Sequence, residues 1–293
     1  MNLLDEIKTR VLLSDGAWGT FLQAKGLQPG ECPELWNLSH RKEVLDIARS
    51  YVKAGCDIIE TNSFGATGIK LGNWGLSGKA SEINRAAAEI SREAAGNKIH
   101  VAGSVGPTGK MLLMGDITES ELYETFSEQS VALEKGGSDI IIVETMSAID
   151  EASIAVKAAR ENTGCIVIAT MTFSVNPKGE YRTMMGVSPQ EMVVAMKNAG
   201  AHVVGSNCGN GIAQMTGIVK AIRSTDREIP VIIQANAGLP ELIEGKTVYR
   251  ESPEIMASYV EEIIAAGANI IGGCCGTTPE HIKAIAKKIK DNN

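Results

Sequence analysis

The chain has 293 residues, which is enough for one large domain with a substantial buried core. It carries 28 basic and 35 acidic residues without a basic stripe, so nucleic acid is not expected as a partner. Its longest apolar runs, such as IIIV at 140–143, are too short to span a membrane. The N-terminus lacks the apolar region of a signal peptide, so we expect a cytoplasmic protein. The six cysteines then predict metal ligands or buried thiols rather than disulfides.

Apolar, β-branched runs recur about every 30 to 40 residues, and each precedes a segment with helical periodicity. Continuous apolar strands that alternate with helices indicate a parallel sheet covered on its outer face. Eight such units predict a single (β/α)8 TIM barrel over residues 1–293, with an open doubly wound sheet as the alternative. The eight runs are VLLSDGAWG (11–19), CDIIETNSFG (56–65), HVAGSVGPTG (100–109), DIIIVETMSA (139–148), CIVIATMTFS (165–174), HVVGSNCGNG (202–211), VIIQANAGLP (231–240) and NIIGGCCGTT (269–278).

The segments between these runs are amphipathic, as in RKEVLDIARSYVKAG (41–55) and SPEIMASYVEEIIAAG (252–267). Several end in a glycine just before the next strand, which predicts a left-handed helix stop. These glycines are Gly55, Gly137, Gly200 and Gly267.

Polar residues cluster at the C-terminal ends of the predicted strands. Barrel enzymes place their chemistry at this end of the strands, so the cluster predicts an active site. Its members are Asp15, Glu60, Thr61, Asn62, Ser104, Glu144, Thr145, residues 170–174, Asn207, Cys208, residues 234–236, Cys274 and Cys275.

Three cysteines at the ends of the sixth and eighth strands predict a metal site. Cys208, Cys274 and Cys275 can converge over the barrel mouth and supply three thiolates to Zn²⁺, with the fourth position open. The glycines at 272, 273 and 276 are predicted to permit an unusual backbone around the cysteine pair. Such an electron-rich site is a weak Lewis acid and favours a substrate thiol, which points to alkyl transfer to sulfur.

The alternative for any cysteine is a small buried apolar side chain. We assign that role to Cys32, Cys56 and Cys165. No histidine shows metal-ligand spacing.

An amino-acid substrate needs an anion for its ammonium group and N–H donors for its carboxylate. Asp15 and Glu144 suit the first role, although Asp15 could also act only as a helix or turn cap. The N–H groups of Gly16 and Ala17, in the DGAWGT turn, suit the second role. Asn207 and Asn236, at the ends of the sixth and seventh strands, complete the predicted substrate site.

The sequence resembles the homocysteine S-methyltransferase family from about residue 10 to residue 285. The matching motifs are LLSDGAWGT, DIIETNSFGAT, VAGSVGPTG, IIIVETM, GSNCGNG and GGCCGTTPEH. The resemblance implies a homocysteine-binding (β/α)8 barrel with zinc on Cys208, Cys274 and Cys275. It also implies that Asp15 and Glu144 contact homocysteine and that Thr61 lines its pocket.

Within the family the motifs are most similar to the branch of cobalamin-dependent methionine synthases. That branch implies a methylated corrinoid as methyl donor, either methylcobalamin or a partner corrinoid protein, and a broad, open barrel mouth. The betaine-using branch has a tyrosine where Gly65 follows Phe64 here, which argues against betaine. No folate or cobalamin domain follows the predicted barrel, so we expect either an excised module or an enzyme served by a separate corrinoid protein.

Other functions remain open at this stage. S-methylmethionine or S-adenosylmethionine are alternative donors, and another thiol is an alternative acceptor. A barrel lyase or isomerase would instead bind phosphate at the GTTPEH turn, although Thr278 more simply caps a helix there. A metal-storage protein would bind zinc without responding to homocysteine.

Overall fold

A computed structural model of the chain describes residues 2–243 and 246–292. Eight parallel strands form one sheet, with each strand hydrogen-bonded to its neighbour in chain order and the last to the first. An isolated parallel bridge between Ser14 and Ile58 joins the first strand to the second. The predicted (β/α)8 barrel is confirmed. Its strands are β1 (Leu12–Leu13), β2 (Ile58–Glu60), β3 (His100–Val105), β4 (Ile140–Met146), β5 (Ile166–Met171), β6 (Val203–Gly211), β7 (Val231–Asn236) and β8 (Ile270–Gly273).

Eight helical units surround the strands and alternate with them along the chain. Gly55, Gly200 and Gly267 end their helices in the left-handed conformation, as predicted. Gly137 also has a positive φ of 106°, one residue after its helix cap. The helices are α1 (Arg41–Ala54), α2 (Ala80–Ala95), α3 (Glu119–Lys135), α4 (Ile149–Asn162), α5 (Pro189–Ala199), α6 (Ile212–Thr225), α7 (Pro253–Ser258 and Val260–Ala266) and α8 (Pro279–Asn292).

Short helices and strands lie outside the barrel, mostly in the loops after β1, β2, β3, β5 and β7. Two antiparallel hairpins follow β5 and β7, at the C-terminal face of the barrel. No helix in the described residues is long and apolar enough to cross a membrane. The short helices are Leu3–Glu6, Gly19–Ala24, Pro33–Leu35, Trp36–Ser39, Gly68–Leu71, Gly72–Trp74, Ser77–Lys79 and Leu112–Met114, and the hairpin strands are Ser174–Val175 with Tyr181–Arg182 and Glu241–Ile243 with Lys246–Val248.

Two apolar layers result from the alternation of side chains along the strands. One face of each strand packs against the helices in the larger core. The other face fills the barrel interior with residues such as Ile58, Ile140 and Ile270. Leu3 and Ile7 pack on this inner cluster and are buried. The N-terminal segment therefore covers the amino-terminal end of the barrel, and the polar strand ends lie at the opposite end.

Candidate metal and substrate site

The three cysteines predicted to bind metal lie together at the carboxyl ends of β6 and β8. Cys208 belongs to β6, and Cys274 and Cys275 directly follow β8. Their sulfur atoms all lie within 4.8 Å of one another, and Cys208 Sγ lies 3.9 Å from Cys275 Sγ. All three side chains are partly exposed. Three sulfurs at this spacing fit one face of a tetrahedral thiolate site and leave the fourth direction open.

Unusual backbone conformations position these ligands. Among the described residues, only two non-glycine residues have a positive φ, namely Thr145 (60°) and Cys208 (59°), and both lie at the mouth. Gly276 also has a positive φ of 79°, as its predicted role requires. Gly272 and Gly273 are not in the left-handed region, so the predicted reason for them is wrong. A Cβ at Gly273 would overlap the Thr277 side chain, so close packing requires these glycines.

The chemistry around the cluster fits a thiophilic cation. Side-chain contacts with Cys274 and Cys275 lower the pKa of the Cys208 thiol to about 3, and the contact with Cys208 raises the pKa of Cys274. A thiophilic metal binds cysteine as thiolate and displaces such protons. Asn236 contacts Cys208, and its buried Oδ1 has no hydrogen-bond partner in the described structure.

The remaining cysteines and the histidines lie elsewhere, as predicted. Cys32, Cys56 and Cys165 are buried and do not belong to the cluster. Each histidine has a partner of another kind: His40 stacks on Trp36, His100 contacts Glu6, His202 accepts from the Val167 N–H, and His281 contacts Thr278 and the Glu251 carbonyl.

A cavity of about 380 Å³ opens beside the cysteines. Its volume is in the range of small-molecule sites. Trp18 lines it, whereas Trp36 is buried in the core. Among the described residues its lining contains three glutamates and three cysteines but no lysine, arginine or histidine, so the cavity favours cationic groups. The lining residues are Gly16, Ala17, Trp18, Gly19, Leu22, Pro33, Glu34, Glu60, Thr61, Asn62, Ser63, Phe64, Ser104, Glu144, Thr145, Asn207, Cys208, Gln234, Gly273, Cys274 and Cys275.

Asp15 lies behind the cavity wall instead of lining it. Its carboxylate is fully buried and accepts hydrogen bonds from Trp18 Nε1 at 2.9 Å and from the Glu60 N–H at 3.0 Å. Ser14 Oγ donates to it at 3.3 Å. Burial raises the pKa of Asp15 to about 7. Asp15 therefore holds Trp18 and the end of β2 in place.

Glu60, one of the polar strand-end residues predicted to form the active site but without a specific role, lies in this wall. It ends β2, lines the cavity, and accepts a hydrogen bond from Gln234 Nε2 at 2.5 Å. The run IIE before Thr61 is the sequence signal for a role of Glu60 in the cavity wall, because a glutamate after buried β-branched residues needs a partner.

Glu144 lines the same wall from β4, as predicted for an ammonium-binding group. Ser104 Oγ donates a short hydrogen bond to its Oε1, and Asn207 Nδ2 donates to its Oε2 at 2.8 Å. Asn207 also contacts Thr145 Oγ1 at 2.7 Å and Cys274 Sγ at 3.9 Å. Asn207 thus connects the acidic wall to the cysteine cluster.

The turn after β1 offers fewer free N–H groups than predicted. Ala17 donates its N–H to Thr277 Oγ1 at 3.0 Å, so that donor is already used. Gly16 lines the cavity, and its N–H has no hydrogen-bond partner among the described residues. Thr61 also lines the cavity, but its Oγ1 is paired with Ser63 and accepts from the Ser104 N–H.

The cysteine cluster and the motifs that hold it correspond to a known family. The family model for homocysteine S-methyltransferase matches residues 12–289, which is nearly the whole chain. The chain belongs to the homocysteine S-methyltransferase family. The predictions of the family and of a methyltransferase are confirmed by this match.

Relatives of this methyltransferase include much longer proteins. Methionine synthase from Mycobacterium tuberculosis is 31% identical over 305 residues, which cover 98% of this chain and 25% of that protein. Methionine synthase from Mycobacterium leprae is 30% identical, with the same coverage. The chain thus spans about a quarter of the length of these curated relatives.

Solved structures give the same fold. The metallated form of the homocysteine methyltransferase MmuM from Escherichia coli superposes with a TM-score of 0.78 at 22% identity, and 98% of each chain is covered. Its oxidized form gives the same TM-score at 24% identity and the same coverage. These matches confirm the single-domain barrel architecture.

Proposed function

We propose that this methyltransferase transfers a methyl group to the thiol of homocysteine and forms methionine, with Zn²⁺ on Cys208, Cys274 and Cys275. The observation that carries the proposal is the three-sulfur cluster within 4.8 Å at the edge of an acidic cavity, in a chain of this family. Zinc bound there would supply a lowered pKa for the substrate thiol, so that a nucleophilic thiolate is available at neutral pH.

The chain's own residues would bind the amino-acid part of the substrate. Glu60 and Glu144 line the cavity, and their carboxyl groups suit an ammonium group, since no basic side chain of the described lining competes for them. The unpaired Gly16 N–H suits the substrate carboxylate. Asn207 lies between the acids and the sulfurs and fixes the orientation of Glu144. In this proposal residues 1–293 form one homocysteine-binding domain, and Asp15 acts by holding Trp18 and β2.

The methyl donor we propose is a methylated corrinoid, presented by a partner corrinoid protein or as free methylcobalamin in the cytoplasm. The partly exposed sulfurs at the mouth leave an approach for a large donor. Gly65 supports the exclusion of betaine, because the tyrosine of the betaine-using branch is absent and a Cβ there would lie 2.6 Å from Glu34 Oε1.

The phosphate-binding alternative has little support at the start of α8. The Thr278 N–H already donates to His281 Nδ1 at 3.2 Å, and the Thr278 hydroxyl pairs with the same ring at 3.0 Å. These contacts occupy both donors of Thr278.

Zinc content of the anaerobically purified protein tests the metal site. We expect about one zinc per chain in the wild type, little in Cys208→Ala, and full content in the matched control Cys165→Ala, whose thiol lies outside the cluster. Methionine formation is then measured with methylcobalamin, S-methylmethionine and S-adenosylmethionine in parallel. Reduced wild-type protein that takes up no zinc, or a loaded protein that methylates homocysteine from none of these donors, would contradict the proposal.

A further inference from the structure

Two carboxyl groups touch each other in the wall of the cavity. Glu60 from β2 and Glu144 from β4 are in side-chain hydrogen-bond contact, and both are more than nine-tenths buried. Two carboxylates at this separation and burial repel each other strongly, and such pairs hold one proton between them. We propose that Glu60 and Glu144 share one proton in the free protein and release it when the ammonium group of the amino-acid substrate enters the cavity.

The neighbours of the pair stabilise one negative charge rather than two. Ser104 Oγ and Asn207 Nδ2 donate to Glu144, so this carboxyl is equipped to remain ionised. Glu60 has one side-chain donor, Gln234 Nε2 at 2.5 Å, which also contacts Ser14 Oγ. The uneven number of donors assigns the proton mainly to Glu60.

The surrounding titratable groups add negative charge. Asp15 from the β1 loop repels Glu60, Cys208 from β6 repels Glu144, and Tyr51 from α1 interacts with Asp15. In the part of the chain that the structure describes, no lysine, arginine or histidine lines the cavity. Burial first, and then repulsion from Glu144 and Asp15, raise the pKa of Glu60 well above its ordinary value of 4.5. Burial also raises the pKa of Glu144.

A bound ammonium group supplies the missing positive charge. Near two carboxyl groups it favours ionisation of both, so the shared proton leaves for solvent as the ligand binds. The balance is one ammonium bound and one proton released per chain. This inference rests on the proposed amino-acid substrate, and it makes Glu60 a positioning residue that sets the charge and direction of Glu144.

The test counts protons with a ligand that has no thiol. L-Methionine carries the same ammonium and carboxylate groups but no sulfur-bound proton, so a proton released on its binding does not come from a substrate thiol. Calorimetric titration of the zinc-loaded protein at pH 7, in buffers with different ionisation enthalpies, gives the number released. We expect up to about one proton for the wild type and nearly none for Glu60→Gln. The matched control Glu34→Gln lines the same cavity and should release as many protons as the wild type.

The pH dependence gives a second readout. Between pH 6 and 7 the association constant for methionine should rise by up to about tenfold in the wild type and by less than about twofold in Glu60→Gln. Infrared spectra of the wild type provide a check that needs no variant. The carbonyl stretch of one protonated carboxyl group should disappear when methionine is added.

The outcomes separate this inference from the proposed function. Methionine or homocysteine binding without proton release, or equal release by the wild type and Glu60→Gln, overturns the shared proton and leaves the methyltransferase intact. Failure of both ligands to bind overturns the proposed substrate and the inference with it.

Discussion

Thr145 offers a direct test of the strained backbone at the barrel mouth. This β-branched residue has a φ of 60°, while its Oγ1 accepts from Asn207 Nδ2 at 2.7 Å. A left-handed conformation costs a residue with a Cβ about 1–2 kcal/mol, and glycine avoids that cost. Glycine also adds about 0.4–1 kcal/mol of backbone entropy to the unfolded state. Thr145→Gly should therefore be more stable than Thr145→Ala by about 0.5–1 kcal/mol, because both variants lose the hydroxyl equally.

The matched control is Thr170, which also bonds to Asn207 but lies in β5 with ordinary strand geometry. There the order should reverse, with Thr170→Gly less stable than Thr170→Ala by about 0.5–1 kcal/mol. Urea unfolding of all four variants measures the two differences. A Thr145→Gly variant less stable than Thr145→Ala would refute the argument from strain. Both position-145 variants should lose methyl-transfer activity, since Asn207 loses a partner that fixes its orientation.

Three further outcomes are expected. Gly205→Ala should lower the free energy of unfolding by more than about 2 kcal/mol in urea melts, because its Cβ would overlap the Ile232 carbonyl oxygen of the adjacent strand. Gly65→Ala should destabilise the protein by about 1–3 kcal/mol in the same melts. The added Cβ would displace Glu34, whose Oε1 accepts a hydrogen bond from the Gly65 N–H at 2.7 Å. The pKa of Glu60 is raised on folding, so the folded state binds more protons above pH 4.5. Stability should therefore fall as pH rises through neutrality, and Glu60→Gln should show a flatter profile; identical profiles would contradict this assignment.

The fold and the metal cluster were predictable for the same physical reason. Fully buried parallel strands read as continuous apolar runs, so the eight strands stand out in the sequence. Their carboxyl ends must meet at one face of a barrel, which brings Cys208 to Cys274 and Cys275 although about 65 residues separate them. The topology of the barrel alone therefore brings the three cysteines together.

The acidic wall was only partly predictable. Asp15 and Glu60 both end apolar strands, and the sequence does not show which carboxyl faces the cavity. The outcome depends on the Glu60 N–H and Trp18 Nε1, which bind the Asp15 carboxylate. The Ala17 N–H was predicted to be free for the substrate, because the sequence does not reveal its partner Thr277, which lies 260 residues away. In both cases, contacts between segments far apart in the sequence determine which groups face the cavity and which are already hydrogen-bonded.

The junction between β1 and β2 has the fewest paired residues of the strand junctions described in the barrel. β1 has only two residues and meets β2 through a single isolated bridge at Ser14 and Ile58. The Asp15 carboxylate reinforces this seam by accepting the Glu60 N–H across it. A ligand held by both the Gly16 N–H and Glu60 would span the same gap. Bound substrate would then link β1 to β2, and transient separation of these two strands would govern how fast the cavity admits and releases it.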